Sequence, residues 1–263
     1  MFNAVILAGE RPGSRGFAQN AGVPLKALIP IDESPMVARV AGALLESGYV
    51  DRIALCGPDR DLFAKHWKEM RQLMEEGRVV WLDSERGPSQ SAYKALSLLG
   101  GQRPILLTTA DHALLSGSVV SFFCKRALEA DCDLAVALTR LDRVKEAYPA
   151  AERTSYRFRE GRFCSCNLFG FMNQGAFKAA EFWVQLEEKR KSPVKVIGGF
   201  GWYWAVKYVL GLLSLSEAFV RASEMIGCRA LPIELPFPEA AIDVDDQADL
   251  EMVRKILSRR EKE

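Results

Sequence analysis

Short, wholly apolar runs alternating with amphipathic stretches constrain this chain more than any other feature. Ala4-Val5-Ile6-Leu7-Ala8 has no polar position, as a strand covered on both faces requires, and it runs straight into Gly9 and a polar loop. Similar runs recur at 52–56, 79–82, 105–109 and 134–138. Between the first two, Met36, Val37, Val40, Ala41, Leu44 and Leu45 fall on one helical face, with Ser34 placed as cap and Pro35 as first helical residue. Further helices are predicted near 61–75, 91–99 and 117–129. Such alternation predicts an α/β fold: a mostly parallel sheet with helices on both faces.

The texture changes over about 140–172. Spaced aromatics and charges around Tyr156-Arg157-Phe158 and Leu168-Phe169-Gly170-Phe171 predict short antiparallel strands, an insert laid over the main sheet. Helices resume at about 175–190, 200–213 and 216–226. A strand near 229–233, a second extended stretch over 241–245 and a helix to about 258 complete the pattern. With no internal repeat and no low-complexity linker, residues 1–263 read as a single domain.

Composition narrows the function classes. Lysine plus arginine (35) nearly equals aspartate plus glutamate (34), which argues against a nucleic-acid binder. No charged tail points to a membrane surface, and neither end resembles a targeting segment, so a cytoplasmic protein is expected. The six cysteines have no paired zinc spacing and there are only two histidines, so the cysteines read as reduced, buried, small apolar residues. The apolar stretch 202–215, interrupted by Lys207, is too short to span a bilayer and reads as a core helix.

Ligands of open parallel sheets collect at the carboxyl ends of the strands, so polar residues there carry most weight. The first such loop, Gly9 to Gly16, holds three glycines with Arg11 and Arg15, and Lys26 follows. Glycines free backbone N–H groups to cradle an anion and the cations favour phosphate, although a charged surface loop has the same composition. The second, Glu85-Arg86-Gly87-Pro88-Ser89-Gln90-Ser91, opens a helix that Ser89 or Ser91 could simply cap. The third follows strand 105–109: Thr108-Thr109-Ala110-Asp111-His112 sets an acid at a strand end, as a metal ligand or as a helix cap. Near the end, the period-2 spacing of Asp243 and Asp245 puts both on one side of an extended segment, where acids repel unless a cation binds. Asp246 is placed to cap the next helix and Asp249 to complement its dipole. In the irregular region, Arg153, Arg157, Arg159 and Asn167 could grip a phosphate or carboxylate, or form a solvated hairpin; Lys207 could line the same pocket.

Leu7-Ala8-Gly9 with its Gly/Arg loop, then Lys26-Ala27-Leu28 and Ser34-Pro35-Met36, resembles the opening of the molybdenum-cofactor guanylyltransferase-like nucleotidyltransferases. These are related to the methylerythritol-phosphate cytidylyltransferases and the sugar-nucleotide pyrophosphorylases. The 85–96 segment is similar to the RxxSVxxAL stretch of the cytidylyltransferases, and Asp243 to Leu250 to a late acidic segment of the same enzymes. The chain departs from the usual LAGGxxxRMG opening: Glu10 replaces the second glycine and Gly16 directly follows Arg15.

The resemblance implies a single Rossmann-like, three-layer domain of the GT-A type, with a small antiparallel insert on the acceptor side. It implies transfer of NMP from an NTP, CTP or GTP favoured, to a small phosphorylated acceptor with release of pyrophosphate. Lys26, Arg15 and Arg11 would hold the phosphates. Leu7, Ala8, Gly9, Gly13, Gly87, Pro88, Ser89, Ser91 and Thr109 would bind the nucleotide. Asp111, Asp245 and Asp243 would hold Mg2+ or Mn2+, and Arg153, Arg157, Asn167 and Lys207 would face the acceptor. Two other readings stay open: a glycosyltransferase using Asp243-Val244-Asp245 on a nucleotide-sugar, and an inactive nucleotide-binding regulator.

Overall fold

The order of pairing explains where the ligand edge must lie. A computed structural model describes residues 1–10, 15–100, 103–189 and 201–260. Strand β1 (Phe2–Leu7) lies between β4 (Val50–Gly57) and β6 (Ile105–Thr109), parallel to both, and β5 (Val79–Asp83) pairs parallel to β4. On the far side, β7 (Leu134–Arg140) and β10 (Ala230–Glu234) run parallel to each other. Between β6 and β7 runs β9 (Gly161–Phe171), antiparallel to both, and β8 (Ser155–Phe158) pairs with β9 alone. The sheet order is therefore β10-β7-β9-β6-β1-β4-β5. A separate ribbon joins β2 (Pro30–Ile31) to β3 (Ser34–Pro35).

Alternation along β1 shows why its sequence has no polar position. Ala4 and Ile6 join the core under α2 (Met36–Glu46), α4 (Met70–Glu75) and α6 (Gly117–Glu129). Val5 joins the opposite core under α5 (Pro88–Leu99), α8 (Phe177–Lys189) and α10 (Leu215–Ile226). Both faces are thus dry, and the three-layer α/β reading holds. A third cluster seats α11 (Gln247–Arg260) on the β2–β3 ribbon through Ile29, Ile31, Ile242, Val244, Leu250 and Val253.

Several local expectations need correction. The antiparallel region is not laid over the sheet, because β9 is one of its central strands and supplies backbone hydrogen bonds to two neighbours. Ser34 does not cap α2; it pairs in β3, and Pro35 stands at the cap position without a side-chain bond. The single helix over 61–75 is two, α3 (Arg60–His66) and α4, broken at the buried Trp67. The 241–245 stretch is no strand, though its apolar-in, acid-out alternation persists: Ile242 and Val244 are buried. The apolar stretch after 202 is no core helix. Helix α9 (Trp202–Val209) buries none of its residues, leaving Trp202 79% and Val209 77% exposed. Both faces of the sheet carry helices, and among the described residues α9 meets Phe158 through Tyr208 and Glu217 through Lys207.

All six cysteines are free and buried, as expected of reduced thiols. Among the described residues no helix is long and apolar enough to cross a membrane.

Phe123 of α6 is fully buried beside Gly170 of β9, where an added Cβ would meet its ring at 3.4 Å. It therefore ties the antiparallel strand to the helical layer. Phe123→Ala should lower unfolding free energy by about 3–5 kcal/mol. In urea unfolding, the midpoint should fall with an unchanged slope.

Candidate active site

The parallel strands deliver their carboxyl ends to one edge, and the chain brings four segments there. Leu7 pairs with Thr109 across β1 and β6, and the Ala110 amide donates to the Leu7 carbonyl at 3.0 Å. That bond fixes the turn carrying Asp111. The Val244 amide donates to the Asp111 carbonyl at 3.0 Å and lashes the 242–245 segment to the same turn. Lys26 opens a 3-10 turn (Lys26–Leu28) whose Ala27 and Leu28 are buried, so its backbone is anchored while the side chain reaches the edge.

At the centre, Lys26 Nζ donates to Asp111 Oδ2 and to Asp245 Oδ1, each at 2.7 Å. Lys26 is 15% exposed, Asp111 22% and Asp245 60%, so one carboxylate is held inside and the other reaches in from solvent. Burial works against the ammonium, but the two carboxylates together outweigh it and raise the lysine above its ordinary value. Glu10, which departs from the family's opening, accepts from the Lys26 amide at 3.3 Å.

Behind this trio, Arg153 is 7% exposed and lies between Asp243 and Asp249. Its guanidinium bonds both carboxylates and donates to the Asp243 carbonyl at 3.0 Å. Asn167 donates to Asp243 Oδ2 at 3.0 Å. It sits where the β7–β9 register breaks, with φ of 47°, a left-handed conformation uncommon outside glycine and often found at functional sites. Burial raises the Asp243 carboxyl above its usual value, and the charges of Asp111 and Asp245 add to the effect against the pull of Arg153. Asp249 accepts from the Asp245 amide at 3.0 Å, and Asp246 caps α11 by accepting from the Asp249 amide at 3.0 Å. The segment 243–249 is thus held at both ends. A cleft of about 780 Å³ opens beside it, lined by Thr154, Tyr156, Ser165, Asn167, Asp243 and Asp245 among others.

The second loop joins the first where Gly9 passes Ser84, close enough that a Cβ on Gly9 would lie 3.7 Å from Ser84 Cβ. Gly87, rather than a serine, takes the cap position of α5. The Ser91 hydroxyl instead accepts from the Glu85 amide at 2.8 Å. The Ser89 amide donates to Glu187 Oε2 at 3.2 Å, and its hydroxyl bonds the same carboxylate.

The candidate residues therefore divide. Lys26, Asp111, Asp245, Asp243, Asn167 and Arg153 lie together, with Leu7, Ala8, Gly9 and Thr109 at the adjoining strand ends. Gly87, Pro88, Ser89 and Ser91 form the next turn along the edge. Arg157 and Lys207 are elsewhere: Arg157 lies over Gly211, and Lys207 pairs with Glu217 at 2.5 Å. Arg15 begins α1 (Arg15–Asn20), while Arg11 and Gly13 lie outside the described residues. Glu187, 98 residues from Ser89, gave no sequence signal, and the grip of Asp249 on Arg153 could not be read from local spacing.

Asp111 and Asp245 offer hard oxygen donors to a common point, the position of the Lys26 nitrogen. Mg2+ takes one or two carboxylates and completes its shell with water and phosphate oxygens, so this pair suits it. Among the described residues no group of three or more His, Cys, Asp or Glu side chains is arranged to hold a metal by itself. Any ion here would depend on ligand oxygens for the rest of its shell.

Residues 4–165 match the family model of the MobA-like NTP transferase domain, and the chain belongs to that family of nucleotidyltransferases. A transferase of unassigned function from Thermus thermophilus is 28% identical, with a TM-score of 0.79 over 95% of this chain and 100% of that one. CMP:2-keto-3-deoxy-manno-octonic acid synthetase, solved with CTP, shares the fold at 13% identity and a TM-score of 0.59, over 98% of each chain. So does 4-diphosphocytidyl-2C-methyl-D-erythritol synthase from Anaerococcus prevotii, at 12% identity and 0.58, over 98% of this chain and 96% of that one. A comparison with curated proteins finds no match.

His112 follows Asp111 but is 1% exposed, and burial holds its imidazole down to about 4 against the attraction of Asp111. It stays neutral in the fold at neutral pH and is a poor candidate for proton transfer. The unfolded chain takes up this proton near 6.5, so the stability it contributes is complete above that pH and is lost as pH falls toward 4. Unfolding free energy measured across this window should fall with acid. His112→Asn should flatten the slope by up to about 1.4 kcal/mol per pH unit.

Proposed function

We propose that this nucleotidyltransferase moves NMP from an NTP to a small phosphorylated acceptor, with Mg2+ or Mn2+ as cofactor. The observation that carries this reading is the pair of 2.7 Å contacts that set one ammonium between two carboxylates at the carboxyl edge of the sheet. An acceptor phosphate oxygen attacks the α-phosphorus, the bond from that phosphorus to the α–β bridging oxygen breaks, and pyrophosphate leaves. No proton has to be removed from an already anionic nucleophile, so no Ser-His-Asp set is needed. Positioning and charge stabilisation supply the catalysis.

In this reading the backbone of Leu7, Ala8 and Gly9 faces the phosphates, Gly13 serves the same nucleotide, and Lys26, Arg15 and Arg11 supply positive charge. Gly87, Pro88, Ser89, Ser91 and Thr109 hold the nucleoside. Asp111 and Asp245, with Asp243 behind them, would hold the divalent ion, which would neutralise phosphate charge. The cleft beside Asn167 receives the acceptor, and Arg153 acts from within by fixing Asp243 and Asp249. CTP and GTP are the favoured donors.

A thermal-shift panel of nucleotides with and without Mg2+ tests the binding half. A ligand selective for the native state adds about 2.7 kcal/mol at a hundredfold excess over its Kd. One nucleotide should stabilise only with metal, and that NTP should release pyrophosphate with a phosphorylated acceptor. Asp111→Asn and Asp245→Asn should each cut kcat by ~100-fold or more. Normal turnover in both would remove the metal assignment, and glycosyl transfer from a nucleotide-sugar without pyrophosphate would replace the reaction.

A further inference from the structure

The large apolar side chains that the core leaves out gather on one face of α9. On a helical wheel, Trp202, Tyr203, Val206, Val209 and Leu210 fall within an arc of about 120°. All five are exposed, and Leu212 extends the patch just beyond the helix. Among the described residues none of them joins the three apolar clusters of the core. The other side of the helix is the one that packs: Tyr208 meets Phe158, and Lys207 pairs with Glu217 near the Trp204 ring. The helix is therefore amphipathic in the reverse sense of a core helix, with its apolar side outward. Contiguous apolar patches are uncommon on soluble surfaces and mark a place that meets something else.

The rim of this patch is basic. The turn between β8 and β9 packs against the end of α9: the Arg159 amide donates to the Leu213 carbonyl at 2.9 Å, and the Arg157 guanidinium lies over Gly211. Arg157, Arg159 and Arg162 are all exposed. The acid of the turn, Glu160, accepts from the Leu215 amide at 3.0 Å, and its other oxygen stands 3.8 Å from Arg159, outside hydrogen-bond range. Arg162 donates its Nε–H to the Ser155 hydroxyl at 3.0 Å. Three guanidinium groups against one carboxylate set a positive edge beside an apolar face.

An aromatic and aliphatic face with a cationic rim has the chemistry of a segment that lies in the interface of an anionic bilayer. Trp and Tyr rings suit the headgroup level, valine and leucine suit the acyl boundary, and long arginine side chains reach phosphates from the rim. A second copy of this chain could cover the apolar face, but a two-fold contact uses the same patch twice and would bring an equally basic rim with it.

We infer that α9 and the β8–β9 turn form a docking face for an anionic phospholipid bilayer, with Trp202, Val206, Val209 and Leu210 entering the interface and the three arginines meeting lipid phosphates. The inference stands apart from the proposed transfer reaction. The face does adjoin the cleft of the candidate site, because Tyr156, two residues before Phe158 on β8, lines that cleft.

Flotation of the full-length protein tests this, with vesicles of phosphatidylcholine alone and of phosphatidylcholine mixed with phosphatidylglycerol. The protein should float with the anionic vesicles, less of it should bind as NaCl screens the arginines, and its tryptophan emission should shift to the blue. Val209→Asp puts a charge on the exposed face at little cost to the fold and should weaken binding by roughly tenfold or more. Leu210→Ser should weaken it in the same direction and serves if the aspartate variant does not fold. Arg157→Ser and Arg159→Ser should each weaken binding by about fivefold. No flotation with anionic vesicles, equal flotation with neutral ones, or unchanged binding in the folded apolar-face variants would each overturn the docking face. A dimer seen by sedimentation that Val209→Asp dissociates, without vesicle binding, would overturn it too and assign the face to a second copy.

Discussion

One ammonium group between two carboxylates organises the carboxyl edge of this sheet. Asp111 comes from the end of β6, Asp245 from an extended segment more than a hundred residues later, and Lys26 from a turn near the start of the chain. Without a cation between them, the two carboxylates would repel at a site where partial burial has already weakened their hydration. The lysine therefore does in this fold what a divalent ion would do in the proposed reaction. In the proposed reaction the two would be alternatives for one position: a metal on the carboxylates would release the ammonium to the incoming phosphates.

The architecture behind that cluster gives it rigidity. Asp111 is set by the β1–β6 pairing and by the backbone bond from Ala110 to Leu7. Asp245 hangs from a segment pinned by Val244, whose side chain is buried and whose amide meets the Asp111 carbonyl. Arg153 and Asn167 hold Asp243 from the β8–β9 side, so the antiparallel strand contributes to the site as well as to the sheet. Arginine in this role is a positioning group: at the wall of the cleft, both ends of its fork are occupied by Asp243 and Asp249.

Much of this was legible in the sequence because it depends on local rules. A run such as Ala4–Ala8 without polar positions, closed by Gly9, fits a strand covered on both faces, and both faces are indeed buried. The acid after β6 and the alternating acids near 243–245 stand out for the same local reason, since strand ends and period-2 spacing are readable from short windows. What could not be read was set by distant partners. Burial of Trp202 and Val209 depends on which distant elements cover them, and among the described residues both stay exposed. Arg157 and Lys207, grouped with Arg153 by residue type, are carried by β8 and α9 to Gly211 and Glu217. Ser34, Ser89 and Ser91 all look like caps by residue type, yet Ser34 is drawn into the local β2–β3 ribbon, Ser91 bonds the nearby Glu85 amide, and Ser89 bonds the distant Glu187.

The most direct test of the central trio is crystallographic. Crystals grown with Mn2+ and a non-hydrolysable analogue of the nucleotide that stabilises the protein would be measured at a wavelength where manganese scatters anomalously. An anomalous peak between Asp111 and Asp245, with the Lys26 ammonium displaced onto the phosphates, is the expected result. A nucleotide bound with manganese elsewhere, while Lys26 keeps both carboxylates, would contradict the assignment of this edge as the reaction centre.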